Sequence, residues 1–406
     1  MIKIRLATMM FIQYIIWGSW YVVLNTYLTT TLGFSGTQAG AAFGTTALAS
    51  LVAPFFVGLV ADKFFATERV LATLYAMSAV MIFMVTQVTS FPAVYALLLA
   101  FCLFYFPTIA LTNAITMRQL SDPGRDFPII RMFGTIGWIV INLLVGFLRV
   151  EASPTPFLFA AAAAIVMCIF SLVALPHTPP PARGQKVTVR SVLGLDALAM
   201  MKDRSYFIFV IASFLACIPL TFYYSFTNLF LNEVGVQNAA GKMSLGQVSE
   251  VGMMLAMPFV FRVFTVRGIL LMGLGSWALR YVLLAYGDPG PGVWMFYLAI
   301  LLHGVCFDFF FVTGQLYTNQ EAPAHLRNTA QGFITVVTYG FGMLVGSFLS
   351  GYALDYFTST TGEGVVVRDW MSFWLSSAAM SAAIGLLVLI FFTSRARIRA
   401  EEKLAA

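Results

Sequence analysis

The sequence predicts an all-α integral membrane protein with twelve transmembrane helices in a 6+6 pseudo-symmetric arrangement. Of its 406 residues, 60% are hydrophobic and only 10% are charged, a composition that excludes a soluble domain of this size. Twelve predominantly apolar runs are each about 20 residues or longer, which is the length that crosses a bilayer as a helix. One long polar stretch lies in the middle of the chain and separates six runs from six.

The predicted spans are joined by short loops, so helices that are adjacent in sequence should pack antiparallel. In the first half the spans are 4–32, 38–61, 69–88, 92–117, 127–148 and 157–175. In the second half they are 205–232, 243–262, 267–286, 292–317, 327–352 and 370–393. The first run is too long for a signal peptide and lacks a small-residue cleavage site, so we expect it to be retained as the first span.

The central polar stretch predicts the domain organisation. It is Pro-rich after His177 and then carries several Lys and Arg residues. We therefore predict an N-terminal six-helix bundle at 1–176, a cytoplasmic linker at 177–204, a C-terminal six-helix bundle at 205–394 and a cytoplasmic tail at 395–406.

Basic residues orient the chain in the membrane. Of the 23 Lys and Arg residues, 18 fall in every second gap between spans or at the span ends that border it, a set that includes both termini and the linker. Because loops rich in Lys and Arg stay cytoplasmic, both termini are predicted to be cytoplasmic. Basic loops that face anionic lipid also explain the pI of about 9.1 without any binding of nucleic acid.

Arg131 and Arg280 stand apart because they lie inside spans, where a charge is costly and normally serves a pathway or binding site.

Span 5 carries a polar stripe. Arg131, Thr135 and Trp138 are spaced i, i+4 and i+7, so they share one helix face. The stripe combines a cation, a hydroxyl and an aromatic plane. An alternative interpretation is that Arg131, about one turn into its span, extends back to the cytoplasmic surface.

Span 8 carries a carboxylate inside the membrane. Gln247 and Glu250 share a face at i, i+3, and Glu250 lies roughly 10 Å from the end of its span, at 1.5 Å per residue. A carboxyl group at that depth favours its neutral form unless it is paired, which suits a group that takes up and releases a proton. The alternative is a permanent ion pair with Arg280 of span 9.

Span 10 offers a second titratable cluster. His303 and Phe307 share a face, while Asp308 points about 100° away from Phe307 and is the deepest carboxylate in the chain. Asp308 is either a second proton-linked group or a polar contact between helices. His303 is a candidate for substrate contact because it shares its stripe with an aromatic residue.

A fainter stripe in span 7 contains Thr221 and Tyr224. Aromatic planes mixed with amides, hydroxyls and few charges suit a neutral, flat, hydroxyl-bearing solute, and they suit a phosphorylated solute poorly. The four cysteines all lie within spans, and no pair has metal-ligand spacing, so we expect no metal site.

The two halves also show traces of a parallel repeat. Span 2 runs into Gly58-Leu-Val-Ala-Asp62-Lys63, with Arg69 opening span 3, and Arg267 opens span 9 at the corresponding position. Two six-helix halves joined by a cytoplasmic linker resemble the plan of the major facilitator superfamily, in which the substrate site lies near the bilayer midplane.

Longer strings resemble the nucleoside:proton symporter family of that superfamily, and the likeness runs essentially from end to end. The strings are Gly18-Ser-Trp20, Ala61-Asp-Lys63, Phe127-Pro128, Arg131-Met-Phe-Gly-Thr-Ile-Gly137, Leu193-Gly-Leu-Asp-Ala197, Leu279-Arg-Tyr281, Ala285-Tyr-Gly-Asp-Pro289, Phe307-Asp-Phe-Phe310, Arg327 and Ala330-Gln-Gly332.

This resemblance implies proton-driven uptake of purine and pyrimidine nucleosides across a bacterial inner membrane, with the proton as the coupling ion and no cofactor. The family's binding positions fall on Arg131, Thr135, Trp138, Gln247, Glu250 and Phe307. Three matched positions depart from the family pattern: Thr221 and Tyr224 replace side-chain amides, and His303 replaces a tyrosine. The proton carrier would be Glu250 or Asp308, and Arg280 would supply the charge that compensates Glu250. We expect alternating access by rocking of the two halves of a monomer in the lipid bilayer.

Other functions remain open at this point. A sugar:proton symporter would use similar hydroxyl-binding residues on the same fold. A ligand sensor on a transporter fold would bind without accumulating its ligand. A membrane enzyme is disfavoured, because the chain shows no nucleophile–histidine–carboxylate set in register and no Gly-rich phosphate loop at an interface.

Overall fold

The computed structural model describes residues 2–56, 66–179 and 194–394, and within them the chain is almost wholly helical. Eleven helices are long and apolar enough to cross a membrane by length and composition. A further helix, Gly36–Phe56, has 21 residues and lies at the second predicted span. The predicted fold class is therefore confirmed, with one helix at each predicted span.

The helices are numbered here in chain order. They are α1 (Ile2–Thr31), α2 (Gly36–Phe56), α3 (Thr67–Val85), α4 (Phe91–Gln119), α5 (Pro123–Phe147), α6 (Thr155–Val173), α7 (Arg204–Glu233), α8 (Leu245–Val263), α9 (Val266–Tyr286), α10 (Val293–Glu321), α11 (Ala324–Tyr356) and α12 (Trp370–Phe391). A 3-10 turn at Leu195–Lys202 precedes α7, and a five-residue helix at Ala239–Met243 precedes α8.

Three of the long helices contain a π-helical stretch. α1 ends in one at Tyr27–Thr31, α10 is interrupted at Asp308–Val312, and α11 is interrupted at Val336–Gly342. Such stretches are rare, occur mostly as single turns within α-helices and are frequent at functional sites. The stretch in α10 begins at Asp308, the deepest carboxylate of the sequence.

Local sequence explains where several helices begin. Asp122, Thr265 and Asp369 cap α5, α9 and α12, each accepting a hydrogen bond from the backbone N–H three residues later. The side chain and backbone N–H of Ser372 donate to Asp369 and lower the pKa of this carboxyl below its usual value. A proline at the first positions of α4, α5 and α6 is preorganised for a helix start.

The helix pairs of the first half recur in the second half. α4 packs against α2 and α3, and α3 packs against α6; six helices later, α10 packs against α8 and α9, and α9 packs against α12. The extensive α1–α5 contact corresponds to a contact between α7 and α11, where Thr221 meets Met343. This recurrence is the structural form of the parallel repeat that the sequence suggests.

The chain divides into two compact units, which are described separately. The first comprises Met1–Val189 and Tyr224–Ser244, and the second comprises Arg190–Tyr223 and Leu245–Ala406. In the first unit, a core cluster joins Val23 of α1, Ile141 and Val145 of α5, and Ala240.

The C-terminal part of α7 is held in the first unit by a buried carboxylate. Glu151, in the loop between α5 and α6, is 5% exposed. Its Oε2 accepts hydrogen bonds from Asn228 Nδ2 (2.7 Å) and Asn232 Nδ2 (2.8 Å), and its Oε1 accepts one from the backbone N–H of Ala240 (3.1 Å). Asn228 also accepts a 2.6 Å hydrogen bond from Thr26 of α1. Three donors satisfy most of the carboxylate's capacity, which makes its burial tolerable.

In the second unit, glycines allow α11 to approach α7 closely. A Cβ added at Gly342 would lie 2.8 Å from Cys217 Cβ, and one added at Gly346 would lie 2.6 Å from Thr221 Oγ1. The hydroxyl of Tyr281 on α9 donates to the carbonyl of Pro219, within α7. A short antiparallel hairpin, β1 (Thr358–Thr360) with β2 (Val366–Arg368), joins α11 to α12.

In the first unit, Gly137 allows a similarly close approach of α5 to α1. Substitution of this glycine tests how much the close approach contributes to stability. A Cβ at Gly137 would overlap the backbone carbonyl of Phe11 on α1, so Gly137→Ala forces α1 and α5 apart. We expect the free energy of unfolding to fall by about 1–3 kcal/mol, measured by thermal or denaturant unfolding of the purified protein in detergent.

Gly252 of α8 is the matched control for this substitution. A Cβ there meets no protein atom within 4 Å, so Gly252→Ala should instead gain about 0.5–1 kcal/mol from helix propensity. Equal effects of the two alanines would show that the close α1–α5 approach does not limit stability.

Several sequence predictions concern residues outside the described ranges. They are the loop motif around Asp62-Lys63, the basic centre of the linker and the tail from residue 395. The orientation and the domain boundaries inferred partly from them stay predictions.

Candidate functional site

The first unit contains an aromatic cluster around the predicted stripe of α5. The ring centroids of Trp138 and Trp17 are 5.6 Å apart, and those of Trp138 and Tyr21 are 5.8 Å apart. Tyr21 in turn lies 6.0 Å from Tyr224. The structure thus brings two of the sequence-predicted residues, Trp138 and Tyr224, next to the same tyrosine.

Arg131 lies over an aromatic ring of α1. Its guanidinium carbon is 4.2 Å from the centroid of Tyr14, a distance at which the cation is attracted to the ring face. A Cβ added at Gly134 would lie 2.9 Å from Arg131 Nη1, so the side chain runs along α5 toward its C-terminal end. A side chain that extends back to the surface at the start of α5 would point the other way.

The stripe of α5 is accessible. Arg131, Thr135 and Trp138 are each half-buried, as expected for three residues that share one helix face. The face therefore presents a guanidinium, a hydroxyl and an indole side by side. Such a surface can stack on a flat ring while donating hydrogen bonds to hydroxyl or carbonyl groups.

In the second unit, α8, α9 and α10 bring three titratable side chains into one row. Arg280 of α9 is fully buried, and its Nη1 lies 3.2 Å from Nδ1 of His303 on α10. Nε2 of the same imidazole lies 3.9 Å from Oε2 of Glu250 on α8. The side chain of Glu250 is 28% exposed, whereas that of His303 is 2% exposed. The histidine therefore stands between the buried cation and the accessible carboxylate, for which a direct ion pair was one of the two interpretations of the sequence.

Asp308 is the most isolated charged side chain of this region. It is fully buried, and no group in the described part of the chain donates a hydrogen bond to either of its carboxyl oxygens. Burial without a donor penalises the ionised form far more than the neutral acid.

Gln247 and Phe307 are both half-buried. The ring of Phe307 lies 5.7 Å from His303 and 5.3 Å from Phe311, which lies 5.9 Å from Tyr339 of α11. A small pocket lies within the second unit. Its lining includes Phe209, Ser213, Phe311, Gly314, Thr338 and Tyr339, from α7 and both π-interrupted helices.

Thr221 differs from the expectation for a binding residue. It is fully buried, and its hydroxyl donates to the carbonyl of Cys217 one turn earlier (2.7 Å). Its other close neighbour is Met343 Sδ at 3.4 Å. A threonine hydroxyl has a single proton, which here is used within its own helix. Thr221 therefore serves the packing of α7 against α11.

Sequence reasoning missed two tyrosines of these clusters. Tyr14 lies under Arg131, and Tyr223 lies under Arg280, whose guanidinium carbon is 3.2 Å from the ring centroid. Tyr14, Trp17 and Tyr21 follow a helical i, i+3, i+7 pattern that could have revealed the first one. No comparable pattern marks Tyr223, because its neighbours in the cluster belong to other helices.

Comparison with known proteins shows which family the chain resembles. The family model described as nucleoside H+ symporter matches residues 1–397. The transporter YegT of Escherichia coli (strain K12) is 41% identical over 398 residues, covering 96% of this chain and 93% of YegT. The nucleoside permease NupG of the same organism is 32% identical over 406 residues, covering 96% of each chain.

The fold agrees with these matches. A crystal structure of the nucleoside transporter NupG superposes with a TM-score of 0.89 at 31% identity, covering 97% of this chain and 99% of that one. The resemblance inferred from the sequence strings is thereby confirmed. The chain belongs to the nucleoside H+ symporter family, whose members are multi-pass membrane transporters of the major facilitator type.

Proposed function

We propose that this protein takes up nucleosides by symport with protons, through alternating access across a bacterial inner membrane. The observation that carries the proposal is the accessible face of α5, where Arg131, Thr135 and Trp138 stand side by side. A nucleoside needs an aromatic surface for its base, hydrogen-bond donors for the base edge, and polar groups for the ribose hydroxyls. This face offers all three with a single cation, which suits a neutral solute better than a phosphorylated one.

Further residues complete the proposed set of substrate contacts. The nucleobase stacks against Trp138 or Phe307, and the base edge and ribose are held by Arg131, Thr135, Gln247 and Glu250. Tyr224 extends the aromatic surface beside Tyr21. We leave Thr221 out of this set, because its hydroxyl is already engaged within α7.

Glu250 is the proposed proton carrier, and Asp308 is the second candidate. Glu250 combines partial exposure with a position inside a spanning helix, so a proton can reach it from water while its charge remains costly. Asp308 is buried, and none of the described residues donates a hydrogen bond to its carboxyl oxygens, a setting that favours the protonated form of a carboxyl group. Arg280 supplies the compensating charge near Glu250.

The remaining assignments are proposals of the same kind. Both termini are cytoplasmic, and the 177–204 linker separates bundles at 1–176 and 205–394. The protein works as a monomer, without a cofactor or a metal, and carries out transport rather than catalysis.

Uptake into proteoliposomes with an imposed pH gradient tests the function. Labelled uridine should accumulate when the outside is acidic, and a protonophore should abolish this accumulation. Excess unlabelled adenosine should compete, and free hexoses should not. Competition by hexoses alone would instead identify a sugar:proton symporter, and binding without accumulation would identify a ligand sensor.

A further inference from the structure

The imidazole of His303 is enclosed on all sides by side chains of the second unit. Tyr223 stacks on it with an interplanar angle of 18° and a centroid distance of 5.8 Å. Phe307 lies 5.7 Å away at a tilt of 35°. Its two nitrogens face Arg280 and Glu250. With 2% of the side chain exposed, neither a ring face nor a ring nitrogen is left for a solute.

The partner of Nδ1 determines where the imidazole carries its proton. A guanidinium can only donate hydrogen bonds, so Nδ1, at 3.2 Å from Arg280 Nη1, must be an unprotonated acceptor. A histidine with an unprotonated Nδ1 carries its proton on Nε2, the nitrogen that faces Glu250. The ring is therefore neutral, and it offers an N–H donor to the carboxylate.

The 3.9 Å between Nε2 and Glu250 Oε2 exceeds a hydrogen bond. The imidazole of His303 is held by Tyr223 and Arg280. Closing the gap therefore requires a change in the side-chain torsions of Glu250, which is 28% exposed.

We propose that His303 is a positioning residue for the proton carrier: it accepts from Arg280, holds the Nε2–H tautomer, and donates to Glu250 when that carboxylate is ionised. The proposal rests on the proposed function, because it gives Glu250 the coupling role. It moves His303 from the set of substrate contacts to the coupling machinery. When Glu250 takes up a proton, the donor at Nε2 loses its anionic acceptor and the carboxyl group is released to rotate.

Other titratable or charged groups face this row from each packed helix. Tyr281 comes from α9, Tyr223 from α7, and Cys306 and Asp308 from α10. Arg280 cannot lose its proton. Asp308 adds a second carboxyl close enough to interact with Glu250 through space. Changes at His303 must therefore be read against an Asp308→Asn background as well as the wild type.

Two substitutions test the roles of the two imidazole nitrogens of His303 separately. In His303→Gln, the terminal amide nitrogen lies near the position of Nε2 and keeps a donor for Glu250. In His303→Asn, the shorter amide keeps an acceptor for Arg280 but does not reach Glu250. Loss of the donor makes the carboxylate form of Glu250 less stable, so the alkaline limit of uptake should move upward by about one pH unit in His303→Asn.

The pH profile of uridine uptake in proteoliposomes is the first readout. We expect His303→Gln to follow the wild type, and His303→Asn to be displaced in both backgrounds. The dissociation constant for uridine, measured at acidic pH, should change less than about twofold in either variant. A tenfold loss of affinity with an unchanged pH profile would overturn the proposal and make His303 a substrate contact.

Nitrogen-15 NMR of histidine-labelled protein tests the tautomer without any transport. The chain has only three histidines, so the signal absent from His303→Gln belongs to His303. A neutral ring protonated at Nε2 is expected, and either the Nδ1–H tautomer or an imidazolium would overturn the proposal. Failure of the wild type to accumulate any nucleoside would refute the proposed function. The NMR measurement would still report the tautomer of His303 between Arg280 and Glu250.

Discussion

Replacing Glu250 with glutamine is expected to abolish gradient-driven accumulation of nucleoside and to leave exchange intact. Glutamine has the shape of the protonated acid but cannot release a proton. The variant is therefore locked in the state that binds substrate, and the proton gradient no longer does work on it. The ratio of internal to external uridine should fall to about one at equilibrium, since a carrier that moves no proton can only equilibrate its substrate.

Two assays in proteoliposomes measure this difference. Uptake under an imposed pH gradient reports accumulation, and counterflow without a gradient reports exchange. Glu363→Gln is the matched control, because Glu363 is exposed in the loop of the β1–β2 hairpin and should behave as the wild type. Full accumulation by Glu250→Gln would remove this residue from the coupling mechanism and leave Asp308 as the carrier.

Asp308→Asn is expected to separate function from stability. Asparagine has nearly the same volume and cannot ionise, so it removes the cost of a buried carboxylate that has no donor among the described residues. Its unfolding temperature should be no lower than that of the wild type. Its advantage should grow with pH for as long as the folded wild type keeps the Asp308 proton that its unfolded chain releases. If Asp308 carries a coupled proton, accumulation should be lost at the same time.

The comparison of the two carboxyl substitutions decides which group carries the proton. Unfolding is followed by intrinsic fluorescence in detergent between pH 6 and pH 9, and accumulation is measured as for Glu250→Gln. A marked loss of stability in Asp308→Asn would show that its carboxyl serves a structural contact. Unimpaired accumulation would show that Glu250 suffices for coupling.

The architecture could be predicted almost entirely from the sequence. Each predicted span became a helix, because an apolar run of this length in a bilayer must satisfy its backbone hydrogen bonds internally. The family assignment from Arg131-Met-Phe-Gly-Thr-Ile-Gly137 and similar strings was also confirmed. The shared face of Arg131, Thr135 and Trp138 followed from helical spacing alone.

Relations between different helices could not be predicted in this way. Thr221 and Tyr224 share a stripe by spacing, yet Thr221 packs against α11 in the second unit while Tyr224 lies beside Tyr21 in the first. The π-helical stretches at Asp308–Val312 and Val336–Gly342 leave no mark in hydrophobic periodicity. Each shifts the phase of the side chains that follow it by about one residue relative to a regular α-helix.

The sequence by itself determined the number of spans, their repeat and the residues available for chemistry, because these depend on length, hydropathy and periodicity along one chain. Only the tertiary structure decided which of these side chains contact one another. It placed His303 between Arg280 and Glu250, put Tyr14 and Tyr223 under the two intramembrane arginines, and left Asp308 without a donor in the described part of the chain. Those outcomes depend on how neighbouring helices are rotated and how closely they approach, which close packing sets jointly for all side chains at an interface.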